Sequence, residues 1–180
     1  MSHKTELWTV KRWKIAIAQF YLLKQEMQTL DSEELWDYSM PELPSDETAI
    51  SRAERTLGHT LHPEYRNFLL AAGGWKSFWH SVDLFGPDDL TGGPSFEEAN
   101  RRILALSDEG LIEFDSVYPI AISLDDRTLF VAGRQHSDIY GTIVWISGVE
   151  VDRYQGFQEL FLTMLELARR DLADLRRPDR

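Results

Sequence analysis

The sequence predicts an α+β fold, with helices first, then an antiparallel sheet, then one closing helix. Three observations predict it. Apolar residues recur at helical spacing through the first hundred residues, short segments rich in β-branched and aromatic residues follow between 117 and 154, and helical spacing returns from about 157 to 177. A chain that segregates its helices and strands in this way is typical of the α+β class.

The N-terminal helix is expected over residues 4–29, because apolar side chains recur there at helical spacing. They are Val10, Trp13, Ile17, Phe20 and Met27. Two arrangements are open: the apolar face covers the core of its own domain, or it pairs with a second copy of the chain. We expect the first arrangement and a monomer. Residues 31–45 are expected to form a linker, with one helical turn around residues 33–38.

Start and stop signals predict three more helices before the sheet. Glycines end two of them, and Pro63 suits the first helical position of one. Ser95 and Glu98 match a capping box at the start of another. The expected bounds are Ser45 or Asp46 to Gly58, Pro63 to Gly73-Gly74, and about 96 to 107.

Four strands are predicted from short β-branched segments separated by turn residues, and a fifth short apolar segment precedes them. The tight connections Asp125-Asp126 and Ser147-Gly148 indicate antiparallel hairpins, and hence a four- to five-stranded antiparallel sheet. The segments are Val82–Phe85, Val117–Ser123, Thr128–Gly133, Thr142–Ser147 and Val149–Tyr154.

The chain has 180 residues and no cysteine. Its length fits one domain with its own core. Without cysteine there is no disulfide framework, thiolate metal ligand or cysteine nucleophile. The first residues lead into a charged amphipathic stretch, and no apolar run approaches the roughly 20 residues that cross a bilayer. We therefore expect a cytoplasmic protein without a membrane segment.

The formal net charge of −11 is unevenly distributed along the chain. Residues 31–166 hold nine Lys and Arg against 25 Asp and Glu, whereas both ends are weakly basic. Such an acidic body repels phosphate, which argues against nucleic acid as a direct ligand. It is explained either by solubility alone or by a basic protein partner.

A series of motifs covers roughly residues 44–168. Residues 50–58 (ISRAERTLG) lead to residues 61–70 (LHPEYRNFLL) and Gly73-Gly74, followed by LFG at 84–86, YPIA at 118–121, IVW at 143–145 and FQELF at 157–161. In this order they resemble the signature of the SUKH superfamily, the Smi/Knr-type domains. Two positions depart from it: His62 stands where many members have proline, and residues 123–127 stand where a Gly- and Asp-rich strand pair is frequent.

The resemblance implies a protein-binding fold without catalysis or a cofactor. Most bacterial members resemble immunity proteins, which bind and neutralise a toxin domain, and some eukaryotic members resemble regulatory scaffolds or adaptors. We expect an N-terminal helix and linker at 1–43 and a SUKH-like domain at 44–177, together one globular unit. The resemblance implies structural roles for the signature residues Leu57, Gly58, Leu61, Pro63, Tyr65, Phe68, Leu69, Gly73 and Gly74.

Two kinds of residue are candidates for the partner interface. Trp75 and Trp79 follow the double glycine, where large aromatic side chains either anchor an interface or fill the core. The acidic candidates lie in turns and at a helix start, where solvated turn chemistry is the alternative explanation. A basic toxin domain would favour them as contacts. They are Asp83, Asp88, Asp89, Glu97, Glu98, Asp125 and Asp126.

Three other features are interpreted as structural. His59 and His62 lie in a turn without a third ligand at suitable spacing, so no metal site is expected. The segment Gly92-Gly93-Pro94-Ser95 lacks the lysine of a phosphate loop and is interpreted as a turn before a helix. No Gly-x-Ser-x-Gly element is present to anchor a hydrolase triad. An enzyme acting on a cationic substrate therefore remains a third hypothesis, behind an immunity protein and an adaptor.

Overall fold

The structure, a computed structural model, describes residues 6–177, so the expectation for residues 4–5 lies outside it. No helix in this range combines the length and apolar character that a membrane crossing requires. The helices are α1 (Val10–Leu30), α2 (Glu47–Leu57), α3 (Pro63–Leu69), α4 (Pro87–Leu90), α5 (Pro94–Asp108) and α6 (Phe157–Leu175). The strands are β1 (Trp75–Trp79), β2 (Val82–Leu84), β3 (Val117–Ser123), β4 (Thr128–Gly133), β5 (Ile143–Ser147) and β6 (Glu150–Tyr154).

The six strands form one antiparallel sheet in which each strand pairs with the next along the chain. The α+β class is therefore confirmed, and the sheet has one or two strands more than expected. The strand that the sequence pattern did not indicate is β1. Its register shifts between Trp75 and Trp79, and Ser77 within it has a left-handed backbone with φ of 49°. Such an irregularity removes the simple alternation that identifies a strand.

Side-chain capping explains where two helices begin. α1 begins at Val10 and not at residue 4, because the Thr9 hydroxyl accepts a hydrogen bond from the Arg12 amide at 3.3 Å. α2 follows Asp46, whose carboxylate accepts a hydrogen bond from the Ala49 amide at 2.7 Å. Each side chain therefore satisfies an amide that the first helical turn leaves free.

The capping box predicted at Ser95 and Glu98 is wrong. α5 begins at Pro94 after Gly93, which has a left-handed φ of 112°, and no side chain caps the helix. Proline suits this first position because its missing N–H would have had no helical partner. Glu98 instead binds Arg102, one turn later, at 2.8 Å.

α1 belongs to the core of its own domain, which is the first of the two arrangements considered for it. The fully buried Trp13 packs edge-on against Phe68 of α3 and Phe161 of α6, at centroid distances of 5.4 and 5.2 Å. Two turns later, Phe20 contacts Trp75 and Phe78 of β1 at 5.5 and 5.1 Å. Burial of each such side chain contributes roughly 1.5–3 kcal/mol relative to exposure.

Backbone segments approach each other closely where α3, which ends at Leu69 and not at Gly73-Gly74, leads into β1. A Cβ on Gly73 would lie 2.5 Å from the Leu43 carbonyl oxygen, and a Cβ on Gly86 would lie 1.7 Å from the Gly73 oxygen. The buried Tyr65 hydroxyl donates to the Phe85 carbonyl at 2.6 Å beside them. Only glycine allows these three segments to meet at this distance.

A buried lysine joins α1 to β1. The side chain of Lys24 is 4% exposed, and its ammonium donates a hydrogen bond to the Ser77 carbonyl and lies 5.2 Å from the centroid of the Trp75 ring. Burial lowers the pKa of Lys24 to about 8, although nearby Asp37 opposes this effect. The folded protein therefore holds the charged ammonium less favourably than water does.

The linker between α1 and α2 is fixed by one carboxylate and one stacked ring, and it has no helical turn at residues 33–38. The buried Asp31 carboxylate accepts hydrogen bonds from the Leu35 amide at 2.8 Å and the Tyr38 hydroxyl at 2.8 Å. Burial alone would raise the pKa of Asp31, but these hydrogen bonds lower it overall. Trp36 stacks on the His80 ring at 4.4 Å.

Replacing Lys24 should change how stability depends on pH. The unfolded lysine has a pKa near its ordinary value of 10.5 and the folded lysine has a pKa of about 8, so the unfolded chain binds more protons between these values. The free energy of unfolding should therefore rise by about 2 kcal/mol from about pH 7.5 to about pH 9.5. In Lys24→Met this rise should disappear. Urea titrations of both proteins across this range measure the difference. Equal dependence of the unfolding free energy on pH in the two proteins would contradict the interpretation.

The measurement should stay below pH 10. Several tyrosines have raised pKa values in the folded protein, and their ionisation above this pH lowers the free energy of unfolding.

Asp31→Asn should lower the free energy of unfolding at pH 7 by about 1–3 kcal/mol, because the hydrogen bonds lose their charged acceptor. The lowered pKa of Asp31 makes its contribution present above the unfolded pKa, near 4, and lost as the pH falls below it. The difference between wild type and Asp31→Asn should accordingly shrink in acid. Glu33→Gln, an exposed change in the same linker, is the control and should have little effect.

Candidate protein-binding surface

Lys76 in β1 lies between two carboxylates that come from different elements. Its Nζ is 3.2 Å from Asp89 Oδ1 of α4 and 3.8 Å from Asp83 Oδ2 of β2. Asp83 also accepts a hydrogen bond from the Ser77 amide, and Asp89 accepts one from the Gly86 amide, both at 2.8 Å. Backbone donors therefore hold both carboxylates in place, independently of Lys76.

A depression of about 510 Å³ opens on one side of Lys76. It is lined by the linker, by the turn between β3 and β4 and by the β1–β2 hairpin. Four carboxylates line it against Lys76 and His80. They are Glu34, Asp37, Asp83 and Asp125.

A second depression of about 470 Å³ lies between the linker, the start of α2 and α4. Four further carboxylates line it: Glu42, Asp46, Asp88 and Asp89. Of these, Asp88 forms an exposed ion pair with Arg52 at 2.7 Å. Because Lys76 contacts one carboxylate from each depression, the two adjoin. We call their eight carboxylates together the acidic face.

The pKa of Glu42 shows that these carboxylates act on one another. Burial raises the pKa of Glu42, and the negative charges of Asp89, Asp88 and Asp83 raise it further, whereas Lys76 lowers it. Mutual repulsion of this kind means that a cation placed at the acidic face would relieve an existing strain among like charges.

Exposed apolar side chains accompany the carboxylates. Leu35 and Leu124 line the first depression and are 43% and 57% exposed, and Leu43 in the second is 87% exposed. Met40, which lies between Leu35 and Leu43 in the linker, is 65% exposed. Clustered exposed apolar area beside polar groups is typical of protein interaction sites.

The structure brings together some of the predicted acidic residues and not others. The four that it brings to the acidic face are Asp83, Asp88, Asp89 and Asp125. Asp126 instead accepts a hydrogen bond from the Thr128 amide at 2.6 Å, which is a turn-forming contact. Glu97 and Glu98 lie on α5 and line neither depression, and Glu98 is engaged with Arg101 and Arg102.

The two tryptophans proposed as interface anchors have other environments. Trp75 is fully buried, and its indole N–H donates to the Ser39 carbonyl at 2.8 Å, so its proposed contact with a partner is wrong. Trp79 is partly buried: it stacks on His80 at 4.2 Å and contacts Trp145 edge-on at 5.4 Å. Neither ring lines the acidic face.

Half of the acidic face lies in a segment from which sequence reasoning selected no interface residue. These residues are Glu34, Asp37, Glu42 and Asp46. The sequence does contain a signal of an acidic surface here, because residues 31–46 contain six Asp and Glu and neither lysine nor arginine. The prolines of residues 31–45 indicate a linker, and a linker is not expected to have a fixed position.

The two histidines considered as metal ligands are packed against tyrosines. The His59 ring lies 4.8 Å from that of Tyr118, and the His62 ring lies 5.2 Å from that of Tyr140. Burial lowers the pKa of both histidines. Within residues 6–177, no three His, Asp or Glu side chains are grouped so that they could hold a metal ion.

No curated protein matches the chain. The family model described as SMI1 / KNR4 family (SUKH-1) matches residues 44–163, from just before α2 into α6. The match leaves out α1 and the linker up to residue 43. This part of the linker contributes Glu34, Asp37 and Glu42 to the acidic face. Because it spans about two thirds of the chain, the protein belongs to the SMI1/KNR4 family, SUKH-1.

Proposed function

We propose that the protein is a non-catalytic, cytoplasmic binding module that acts as an immunity protein, binding and neutralising a toxin domain with a cationic surface. The acidic face is the observation that carries this proposal. It combines eight carboxylates with exposed leucines on a fold whose family resembles partner-binding proteins.

The charge of the face supports a basic partner. Opposed charges raise the association rate and orient the two proteins before contact. Among residues 6–177, Lys76 is the one lysine or arginine that lines either depression, and it is already bound to Asp83 and Asp89. Lysine and arginine side chains of the partner would therefore meet carboxylates that have few cations of their own.

The leucines would provide contact area that charge alone does not. Leu35 of the linker and Leu124 of the turn between β3 and β4 both line the first depression, so an apolar side chain of the partner would be buried against them. Each square ångström of apolar surface removed from water contributes about 25 cal/mol. In this proposal neutralisation is steric, because the bound immunity protein covers the groove through which the toxin reaches its substrate.

Co-expression with the protein encoded by the adjacent gene tests the biological role. We expect the two proteins to co-purify, and we expect growth to be rescued from arrest by that neighbour. Absence of both would contradict the immunity role. Capture of many unrelated proteins instead would indicate a regulatory adaptor.

Charge reversal tests the surface. Asp88→Lys with Asp125→Lys places one cation in each depression at exposed positions, and should weaken binding of the neighbouring protein at least tenfold. Asp108→Lys with Glu109→Lys makes the same change in net charge at the exposed end of α5 and serves as the control. Isothermal titration at low and high salt should also show weaker binding to wild type at high salt. Equal loss of affinity in both double variants would exclude the acidic face as the binding site.

A further inference from the structure

The Lys76 ammonium lies in a site whose two carboxylates are held by the backbone. Its Nζ is 3.2 Å from Asp89 Oδ1 and 3.8 Å from Asp83 Oδ2. The Ser77 amide donates to Asp83 Oδ1 and the Gly86 amide donates to Asp89 Oδ2, so each carboxylate keeps its other oxygen for a cation. We call this pair of carboxylates the paired-aspartate site. Because backbone amides position both members, the site remains in place when the lysine leaves it.

Partial burial distinguishes this site from the Arg52–Asp88 ion pair, which also lies at the acidic face. The side chains of Asp83 and Asp89 are 27% and 26% exposed, whereas that of Asp88 is 88% exposed. Charges interact more strongly where less water surrounds them. A cation between Asp83 and Asp89 is therefore bound more strongly than a cation at Asp88.

The Lys76 side chain can leave this site without disturbing the core, and in this it differs from Lys24. Lys76 is 41% exposed, and a lysine stem of four carbons is flexible. Lys24 is 4% exposed, and its ammonium donates to the Ser77 carbonyl inside the protein. Lys24 is therefore fixed by packing, whereas Lys76 can exchange its carboxylate contacts for contacts with water.

We propose that an arginine of the basic partner displaces Lys76 from the paired-aspartate site on binding, so that Lys76 is an internal competitor of the partner. This inference rests on the function proposed above and names the side chain by which the acidic face selects its partner. A guanidinium has five N–H donors in a planar arrangement and can bind both carboxylates at once. It is also more weakly hydrated than an ammonium. The exchange returns the strongly hydrated group to water and binds the weakly hydrated one, which favours arginine over lysine.

The carboxylates around the site require a positive charge between them. Burial and the charges of Asp89, Asp88 and Asp83 raise the pKa of Glu42, whereas Lys76 lowers it. The charge of Lys76 therefore acts on carboxylates beyond the two that it contacts. A partner that displaces Lys76 has to supply a positive charge in its place, which an apolar or acidic side chain does not do.

Titration of the full chain with acetylated, amidated triarginine and trilysine peptides tests the exchange. By NMR, the wild type should bind the arginine peptide more tightly, with shift changes at the Ser77 and Gly86 amides. Lys76→Met removes the competitor and should bind the arginine peptide about tenfold more tightly than the wild type. Arg52→Met makes the same change in net charge at the exposed ion pair of the same face, and its effect should be smaller, about twofold.

Lys76→Arg separates competition from charge, because it keeps the net charge of the chain. Its guanidinium should occupy the paired-aspartate site more strongly than the ammonium does, so the arginine peptide should bind more weakly than to the wild type. Equal gains in Lys76→Met and Arg52→Met, unchanged affinity in Lys76→Arg, or equal binding of the two peptides would each overturn the proposal. Circular dichroism establishes that each variant is folded.

The protein encoded by the adjacent gene separates this inference from the function on which it rests. It should bind Lys76→Met more tightly and Lys76→Arg more weakly than the wild type. Binding to the wild type without this pattern would overturn the arginine exchange and leave the immunity role in place. The expected pattern with the peptides, but no binding of the neighbouring protein, would contradict the immunity role and support the arginine site.

Discussion

The close approach of three backbone segments at Gly73 and Gly86 is the constraint on which the acidic face depends. The linker contacts this corner directly, since the Gly73 amide donates to the Leu43 carbonyl at 2.9 Å and the Glu42 amide donates to the Gly74 carbonyl at 3.0 Å. Carboxylates from the linker, the β1–β2 hairpin and α4 are brought together because no side chain separates these backbones. A larger residue at either glycine would push the segments apart and, with them, the charges.

Much of the fold follows from local patterns in the sequence. The strands from β3 to β6 were predicted close to their observed bounds, because their β-branched segments alternate with clear turns. β1 was not, because a left-handed serine and a register shift interrupt it, and these result from its tertiary contacts. The same contacts explain Trp75, which was considered for an interface and is buried: a ring beside a lysine and a serine has no local sign of burial.

The acidic face could be predicted only in part for a similar reason. Sequence reasoning selected Asp83, Asp88, Asp89 and Asp125 from turns, but it could not show that the linker lies beside them. The position of the linker is set by the Asp31 hydrogen bonds and by the stacking of Trp36 on His80, a contact between residues far apart in the chain. Long-range contacts of this kind leave no periodic pattern in a sequence.

In the linker, the residues that would bind a partner differ from the residues that attach the linker to the rest of the domain. Its charged side chains contribute to the acidic face, whereas its attachment depends on Asp31, Trp36 and the backbone at Leu43. An exposed position such as Glu34 can therefore change without loss of core packing. Because this stretch precedes the part that the family model matches, related proteins could acquire a different binding preference by exchanging some fifteen residues while keeping the domain itself intact.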